Sequence, residues 1–467
     1  MTPECSTEPL EFGGLRSQRV VGRFDGGELG SDGGGLLLRE LALRTGLFRR
    51  LSACFRDYRE PQRTQHAVEV LVAARVLGLA LGYEDLTDHD GLRQSKLWSL
   101  LCGTAARGGR RGRWPQLPPG KSTLNRLELT GPALEAGERY KKIVADTAGL
   151  DALLVDLFLD WHGERPERIV LDVDATDDPL HGRQEGRFFH GYYRSYCYLP
   201  LYVFCGPQLL GARLRTADRD AAAGTVEELA RIVGRIRQRW PGVEIWLRGD
   251  SGFCREDLMA WCEAQGVEYV LGIAQNPRLK RRLAPELEQA RQACERTGQA
   301  ARVFQDFQYR TLDSWSRERR VIGKAEHLPR GPNPRFVVTS LSAERMAAGP
   351  LYEDVYCARG DMENRIKEQQ LALFADRTSA QTLRANQLRL YFSAFAYVLL
   401  EILRRWGLQG TRLARAQCDT IRLKLLKIGV RIRVSVRAVR LSFDEGFPEA
   451  GLLRQVLARL QNLPLRC

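Results

Sequence analysis

Ile169-Val170-Leu171-Asp172-Val173-Asp174-Ala175-Thr176-Asp177 is the stretch on which the fold turns. It is short, apolar and rich in β-branched residues, which predicts a strand. Successive side chains of a strand point to opposite faces. Asp172 and Asp174 therefore share one face, and Leu171 and Val173 the other. Two aspartates at the end of a buried strand are costly unless something pairs them. A divalent cation is a fitting partner, because hard carboxylate oxygens suit Mg2+.

A second stretch, Val243-Glu244-Ile245-Trp246-Leu247-Arg248-Gly249-Asp250-Ser251-Gly252-Phe253, predicts an alternating strand that runs into a Gly-Asp-Ser-Gly turn. Asp250 falls at the strand's C-terminal edge, where open α/β sheets place their sites. The competing reading makes Asp250 a cap for a helix over 255–265. The third stretch is Tyr356-Cys357-Ala358-Arg359-Gly360-Asp361-Met362-Glu363-Asn364-Arg365-Ile366-Lys367-Glu368-Gln369-Gln370. At about 100° per residue, Tyr356, Arg359, Glu363, Lys367 and Gln370 project within roughly 80° of one another on a helix. A core stripe would be Leu and Ile. This stripe suits a metal-binding carboxylate flanked by groups that grip phosphates. The alternative is a solvated face with i,i+4 pairs such as Glu363–Lys367. Three acidic residues on three successive elements favour the site.

These residues carry a resemblance. The chain resembles the DDE transposases of bacterial insertion sequences, in the cut-and-paste superfamily with a "YREK" signature and the group-one DDE domain. Asp174-Ala175-Thr176-Asp177 matches the first aspartate, and Gly249-Asp250-Ser251-Gly252-Phe253 the second. Tyr356, Arg359 and Glu363 match the signature spacing, while the signature lysine falls on Gln370. Lys367, one turn earlier, is the candidate replacement, with Gln370 as a weaker phosphate contact. Leu180-His181-Gly182-Arg183-Gln184, Gly191-Tyr192-Tyr193 and Asp376-Arg377-Thr378-Ser379 are similar to the same subfamily.

The resemblance implies a Mg2+ (or Mn2+) two-ion site held by Asp174, Asp250 and Glu363, with Asp172 in reserve. Tyr356, Arg359, Lys367 and Gln370 would bind DNA. It further implies cleavage and strand transfer on double-stranded DNA, namely terminal inverted repeats and a target, with a homodimer in the DNA complex. A plain RNase H-like metal-dependent nuclease and a catalytically idle DNA-binding descendant are the rival readings.

The chain has 467 residues and a formal net charge of +14, with a pI near 9.4. A basic excess suits a polyanionic partner, since neutralising phosphates releases counterions. No long apolar run predicts a membrane span. The N-terminus lacks the apolar core of a signal peptide. The 11 cysteines are scattered without CxxC spacing, which points to reduced thiols in the cytoplasm, with association to the nucleoid following from DNA binding.

Residues 1–30 are Gly-rich and expected to be irregular. Residues 36–105 predict amphipathic helices, and 106–120 a basic Gly/Pro loop whose Arg107, Arg110, Arg111 and Arg113 are candidate DNA contacts. Gly120-Lys121-Ser122-Thr123 imitates the end of a phosphate-binding loop, but Pro115 stands where that loop needs a glycine. Ser122 is instead expected to cap a helix near Leu124.

From residue 168 the pattern becomes α/β. Three strands, a helix, a strand, a helix and a strand is the order of an RNase H-like core. Residues 277–350 predict a charged helix and three strands, too long for a loop, and read as a β-rich insertion. Trp315 within it is a candidate for stacking on a base, or else for ordinary packing. An apolar helix over 385–406, a helix over 410–427, a strand with a basic face around Arg431 and Arg433, and a last helix over 449–460 complete the chain. The expected domains are thus a helical DNA-binding region (1–165), the RNase H-like core in two parts (166–276 and 351–410), the insertion (277–350) and a C-terminal helix/strand region (411–467).

Overall fold

The structure is a computed structural model and describes residues 9–15, 18–104, 117–435 and 437–464. It divides into two compact units. One comprises Met1–Leu127, Leu134–Val144 and Ile402–Cys467; the other comprises Glu128–Ala133 and Ala145–Glu401.

The first unit is built on helices Gly35–Thr45, Leu47–Ser52 and Val68–Leu81, joined by a C-terminal segment that the sequence did not assign to it. The reason lies in side chains far apart in the chain. Lys427 Nζ pairs with Asp32 at 2.6 Å, and Arg422 Nε donates to the Ala80 carbonyl at 2.9 Å. Strand Val430–Val434 hydrogen-bonds Leu29–Gly30. Residues 1–165 are therefore not one compact body. Nor is the opening segment irregular: Leu10–Leu15 and Gln18–Gly22 form an antiparallel hairpin, in keeping with their apolar and β-branched residues. The helix expected over 410–427 is confined to Cys418–Ile421 and the turn Arg422–Leu426. Helix Lys121–Glu128 starts at Lys121, so Ser122 lies inside it and is not its cap.

The second unit begins with α1 (Thr147–His162), capped by the Asp146 carboxylate accepting from the Gly149 N–H. Ion pairs bind it to this unit. Asp151 accepts from Arg213 at 2.7 Å, and Asp156 pairs with Arg235. The unit's centre is a mixed sheet of nine strands among the described residues. Its first five are β1 (Arg168–Ala175), β2 (Leu201–Cys205), β3 (Gln208–Arg213), β4 (Glu244–Gly249) and β5 (Glu268–Ile273). They lie in the order β3-β2-β1-β4-β5. The β1-β2-β3 meander is antiparallel, whereas β4 runs parallel to β1 and β5 parallel to β4.

Helix α2 (Thr225–Arg239) supplies the crossover from β3 to β4, and α3 (Glu256–Gln265) that from β4 to β5. Leu229, Ile232, Val233 and Ile236 give α2 a helical-period apolar stripe, which buries against Leu171, Val203, Ile245 and Leu247 of the sheet. Glu227 and Glu228 in its first turn and Arg237 and Arg239 in its last suit the helix dipole.

The expected insertion does contain strands, but they extend this sheet. In spatial order after β5 come β8 (Arg335–Thr339), β7 (Arg319–Leu328) and β6 (Ala301–Tyr309), all antiparallel to their neighbours. The charged helix before them is two, Pro277–Arg282 and Ala284–Thr297. The chain then forms a long helical run over 348–372. It is π-wound at Leu351–Tyr356, tightens to a 3-10 turn at Cys357–Arg359, is α-helical at Gly360–Lys367 and is π-wound again at Glu368–Ala372. Helix Leu383–Ile402 follows, with Leu388, Phe392, Phe395 and Leu399 fully buried.

Candidate functional site

The site forms where β1 and β4 end. These parallel strands pair Asp172 with Arg248 and Val173 with Gly249, so the residues that follow lie on neighbouring strands: Asp174, still in β1 and paired with Tyr202 of β2, and Asp250, just beyond the end of β4. Asp250 folds back at once: its Oδ1 accepts the Gly252 N–H at 2.8 Å and closes the turn Ser251–Phe253. The capping reading thus holds for this turn and not for α3. Gly249 suits the crowding there, since a Cβ would stand a tight 3.1 Å from both Val173 Cγ2 and Phe253 Cβ.

Glu363 comes from the α-helical part of the 348–372 run. Arg359, one turn before it, joins the two elements. Its Nη1 donates to Asp174 Oδ2 at 3.1 Å and its Nη2 to Glu363 Oε1 at 2.9 Å. The fit differs at the two ends, because the Asp174 side chain is 15% exposed and that of Glu363 48%. Burial pushes the Asp174 carboxyl up to about 6. Arg359 opposes that rise, Asp250 adds to it, the Ala175 N–H opposes it and Glu363 adds to it. Burial also works against the charge on Arg359, but Asp174, Tyr356, Glu363 and Asp250 outweigh it and hold the guanidinium above its ordinary value. Asp174 thus feels both Asp250 and Glu363 beside the Arg359 cation.

As a donor set, Asp174, Asp250 and Glu363 suit a hard divalent ion. Among the described residues no three acidic, His or Cys side chains close around a common point. Arg359 supplies the compensating charge instead.

Tyr356 packs beside this cluster. Gly272 at the end of β5 makes room for it: a Cβ there would fall 2.6 Å from Tyr356 Oη and 3.2 Å from the Asp250 carbonyl carbon. Burial raises the Tyr356 phenol. Lys367 is exposed on the helix.

Three expectations need correction. Asp172 is not an open reserve ligand. Arg248 grips it through Nε at 2.6 Å and Nη2 at 2.7 Å, in a buried pair, and Arg248 Nη1 donates to the Val355 carbonyl at 2.6 Å. This pair ties β1 and β4 to the helical run. Gln370 is engaged within the protein. Its Nε2 donates to the Asp177 carbonyl at 3.0 Å and to Asp178 Oδ1 at 3.1 Å, with Thr176 Oγ1 at 3.4 Å. Asp178 is completely buried, which pushes its carboxyl up to about 8 against the opposing Gln370 bond, with Asp376 and Asp177 adding to the rise. Trp315 is only 4% exposed and packs edge-on against Tyr309, so it is a core residue with no face for a base. Arg107, Arg110, Arg111 and Arg113 lie outside the described residues.

Arg248 and Gly272 were missed by reading the sequence. The signal for Arg248 was its place, two residues before Asp250 on a strand that had to neighbour Asp172. For Gly272 no local signal exists.

A family model described as "Transposase DDE domain group 1" matches residues 12–465. No curated protein matches the chain. Among solved structures, a cryo-EM structure of a piggyBac transposase synaptic complex with hairpin DNA aligns at 12% identity and a TM-score of 0.35. The alignment covers 83% of this chain and 84% of that one.

Proposed function

We propose, from the premise that this chain belongs to the transposase DDE domain group 1 family, that it moves an insertion sequence by metal-dependent DNA cleavage and strand transfer. The observation that carries this is Arg359 bridging Asp174 of β1 to Glu363 of the helical run, with Asp250 following β4 on the strand next to Asp174. The β3-β2-β1-β4-β5 order, with the meander antiparallel and the crossovers parallel, supports an RNase H-like core.

On this reading Asp174, Asp250 and Glu363 would hold two Mg2+ or Mn2+ ions, which would supply Lewis-acid stabilisation of the attacking and leaving oxygens of an in-line phosphoryl transfer. Arg359 turns from the carboxylates to a phosphate of the incoming strand, for which its fork of donors is suited. Tyr356 fixes the side of the site next to Asp250, and Lys367 adds a phosphate contact. The Asp172–Arg248 pair keeps the helical run in register with the sheet. The chain's net charge of +14 supports a DNA partner, bound as a homodimer on terminal inverted repeats, in the cytoplasm with the nucleoid. The unit that contains the N-terminal helices would recognise the element's ends.

The test is a supercoiled donor bearing candidate inverted repeats, incubated with the full chain and Mg2+. Wild type should excise and join. Asp174→Asn, Asp250→Asn and Glu363→Gln should each do neither while still binding DNA, because phosphate contacts come from basic groups. Cutting without joining would mean a nuclease. Binding without cutting would mean an idle descendant.

A further inference from the structure

A hairpin beside the site carries an exposed aromatic surface. Strand Phe188–His190 pairs with Ser195–Tyr198, setting Phe189 opposite Tyr196. The sequence reads Arg187-Phe188-Phe189-His190-Gly191-Tyr192-Tyr193-Arg194-Ser195-Tyr196. Aromatic residues at such density ordinarily turn inward, but here they do not. Tyr192 is 84% exposed and Phe189 58%, with Phe188 and Tyr196 also open to solvent.

The rings nevertheless hold one another. Phe189 and Tyr196 meet edge to face at 5.5 Å, Tyr192 and Tyr193 at 5.0 Å, and the Arg187 guanidinium lies over Tyr196 at 3.8 Å. Arg194, at φ 53°, closes the reversal in the left-handed region and leaves Tyr192 at the tip. The hairpin is anchored at the candidate site. Tyr193 and Ala175, the neighbour of Asp174, pack on the same buried cluster of Cys197, Leu199 and Ala217. On the far side Asp178 pairs with Tyr198. Tyr193 also feels the charges of Asp177, Asp174 and Asp250.

We infer that this hairpin is a stacking platform for unpaired bases of the DNA strand that ends at the carboxylates. This rests on the function proposed above. Three features select the occupant. Tyr192 and Phe189 are the most open rings, and a base within a duplex has both faces covered whereas an unpaired base has a free face to lay on them. Arg187, over Tyr196, and Arg194, in the reversal, set charge complementary to a backbone among the rings. The platform also stands next to the residues that would break a strand, where bases lose their partners. A duplex groove, by contrast, is read through hydrogen bonds to base edges, which phenylalanine cannot make.

The test uses the full chain in EDTA, so that nothing is cut, with fluorescence anisotropy on three probes. These are a blunt duplex, the same duplex with a short single-stranded thymidine extension, and the same extension made of abasic sites. The thymidine and abasic probes carry equal charge and differ in bases alone. Wild type should prefer the thymidine probe by about fivefold or more, the effect of stacking one base. Tyr192→Ala and Phe189→Ala should each reduce that preference and leave blunt-duplex binding and the melting temperature unchanged. Tyr192→Phe should keep it.

Equal binding of the thymidine and abasic probes by wild type overturns the inference. So does a preference that survives both alanine variants. A change in the sedimentation of the DNA-free chain on Tyr192→Ala, with the preference intact, would assign the surface to a second copy instead. The parent reading fails separately, by absence of Mg2+-dependent cutting in wild type.

Discussion

Asp178 offers the sharpest test of the architecture behind the site. It is fully buried, its Oδ1 accepts from Gln370 Nε2 at 3.1 Å, and its carboxyl is pushed up to about 8. In the unfolded chain an aspartate titrates near 3.9. Between those two values the folded protein keeps a proton that the unfolded chain releases, so raising the pH favours unfolding. The slope is about 1.4 kcal/mol per pH unit. Over roughly four units the accumulated loss approaches ~5 kcal/mol, a large share of the ~5–15 kcal/mol that holds a typical domain together. Asp178→Asn has the same shape, keeps an oxygen for Gln370 and does not titrate. Its amide nitrogen takes the place of Oδ2, which has no hydrogen-bond partner, at a cost of about 1 kcal/mol at any pH. The variant should therefore match or slightly trail wild type near pH 4 and exceed it by about 3–5 kcal/mol near pH 8. Urea unfolding of both proteins across that range measures the difference directly. A difference that does not grow with pH would mean that Asp178 is ionised in the fold, and the account of Gln370 as its neutral partner would fall with it.

Asp172→Asn should destabilise the protein by about 3–5 kcal/mol, because it strands Arg248 in the interior; a variant that melts like wild type but cannot cut would make Asp172 a ligand after all. Arg359→Ala should bind Mn2+ about tenfold more tightly without DNA, by calorimetry, since a charged hydrogen bond no longer competes for Asp174, while end cleavage falls; unchanged or weaker Mn2+ binding would refute the bridging role. Lys367→Ala should lower DNA affinity and reduce the salt slope by about one, whereas Gln370→Ala should lower the melting temperature and leave DNA affinity alone. Equal effects of the two on DNA would return Gln370 to the phosphate-binding set.

What could be read from the sequence was local. The alternation of β1 put Asp172 and Asp174 on one side of the sheet, and the order of strands and helices from residue 168 was legible from pattern. Spacing alone put Arg359 one turn before Glu363. What could not be read depends on register between distant strands. Nothing near Trp315 says that Tyr309 and Arg319 will enclose it. Nothing near Asp172 says that Arg248 will claim both its oxygens. The helical stripe itself was drawn at uniform pitch, and the π-wound stretch at Glu368–Ala372 breaks that pitch where Gln370 turns to Asp178. The C-terminal segment's membership in the first unit rests on single long-range bonds such as Lys427–Asp32, which leave no periodic trace.

The continuity of the large sheet has a mechanical side. Asp306, Ile322, Val337 and Gly272 are successive register partners across β6, β7, β8 and β5. They form a transverse row from the sheet's far edge to the glycine that abuts Asp250 and Tyr356. Hydrogen-bonded strands twist together. A load on the β6 edge therefore does not swing a hinged flap. The β6 edge and the turn that carries the Asp250 carboxylate are thus parts of one unbroken row of strand pairings.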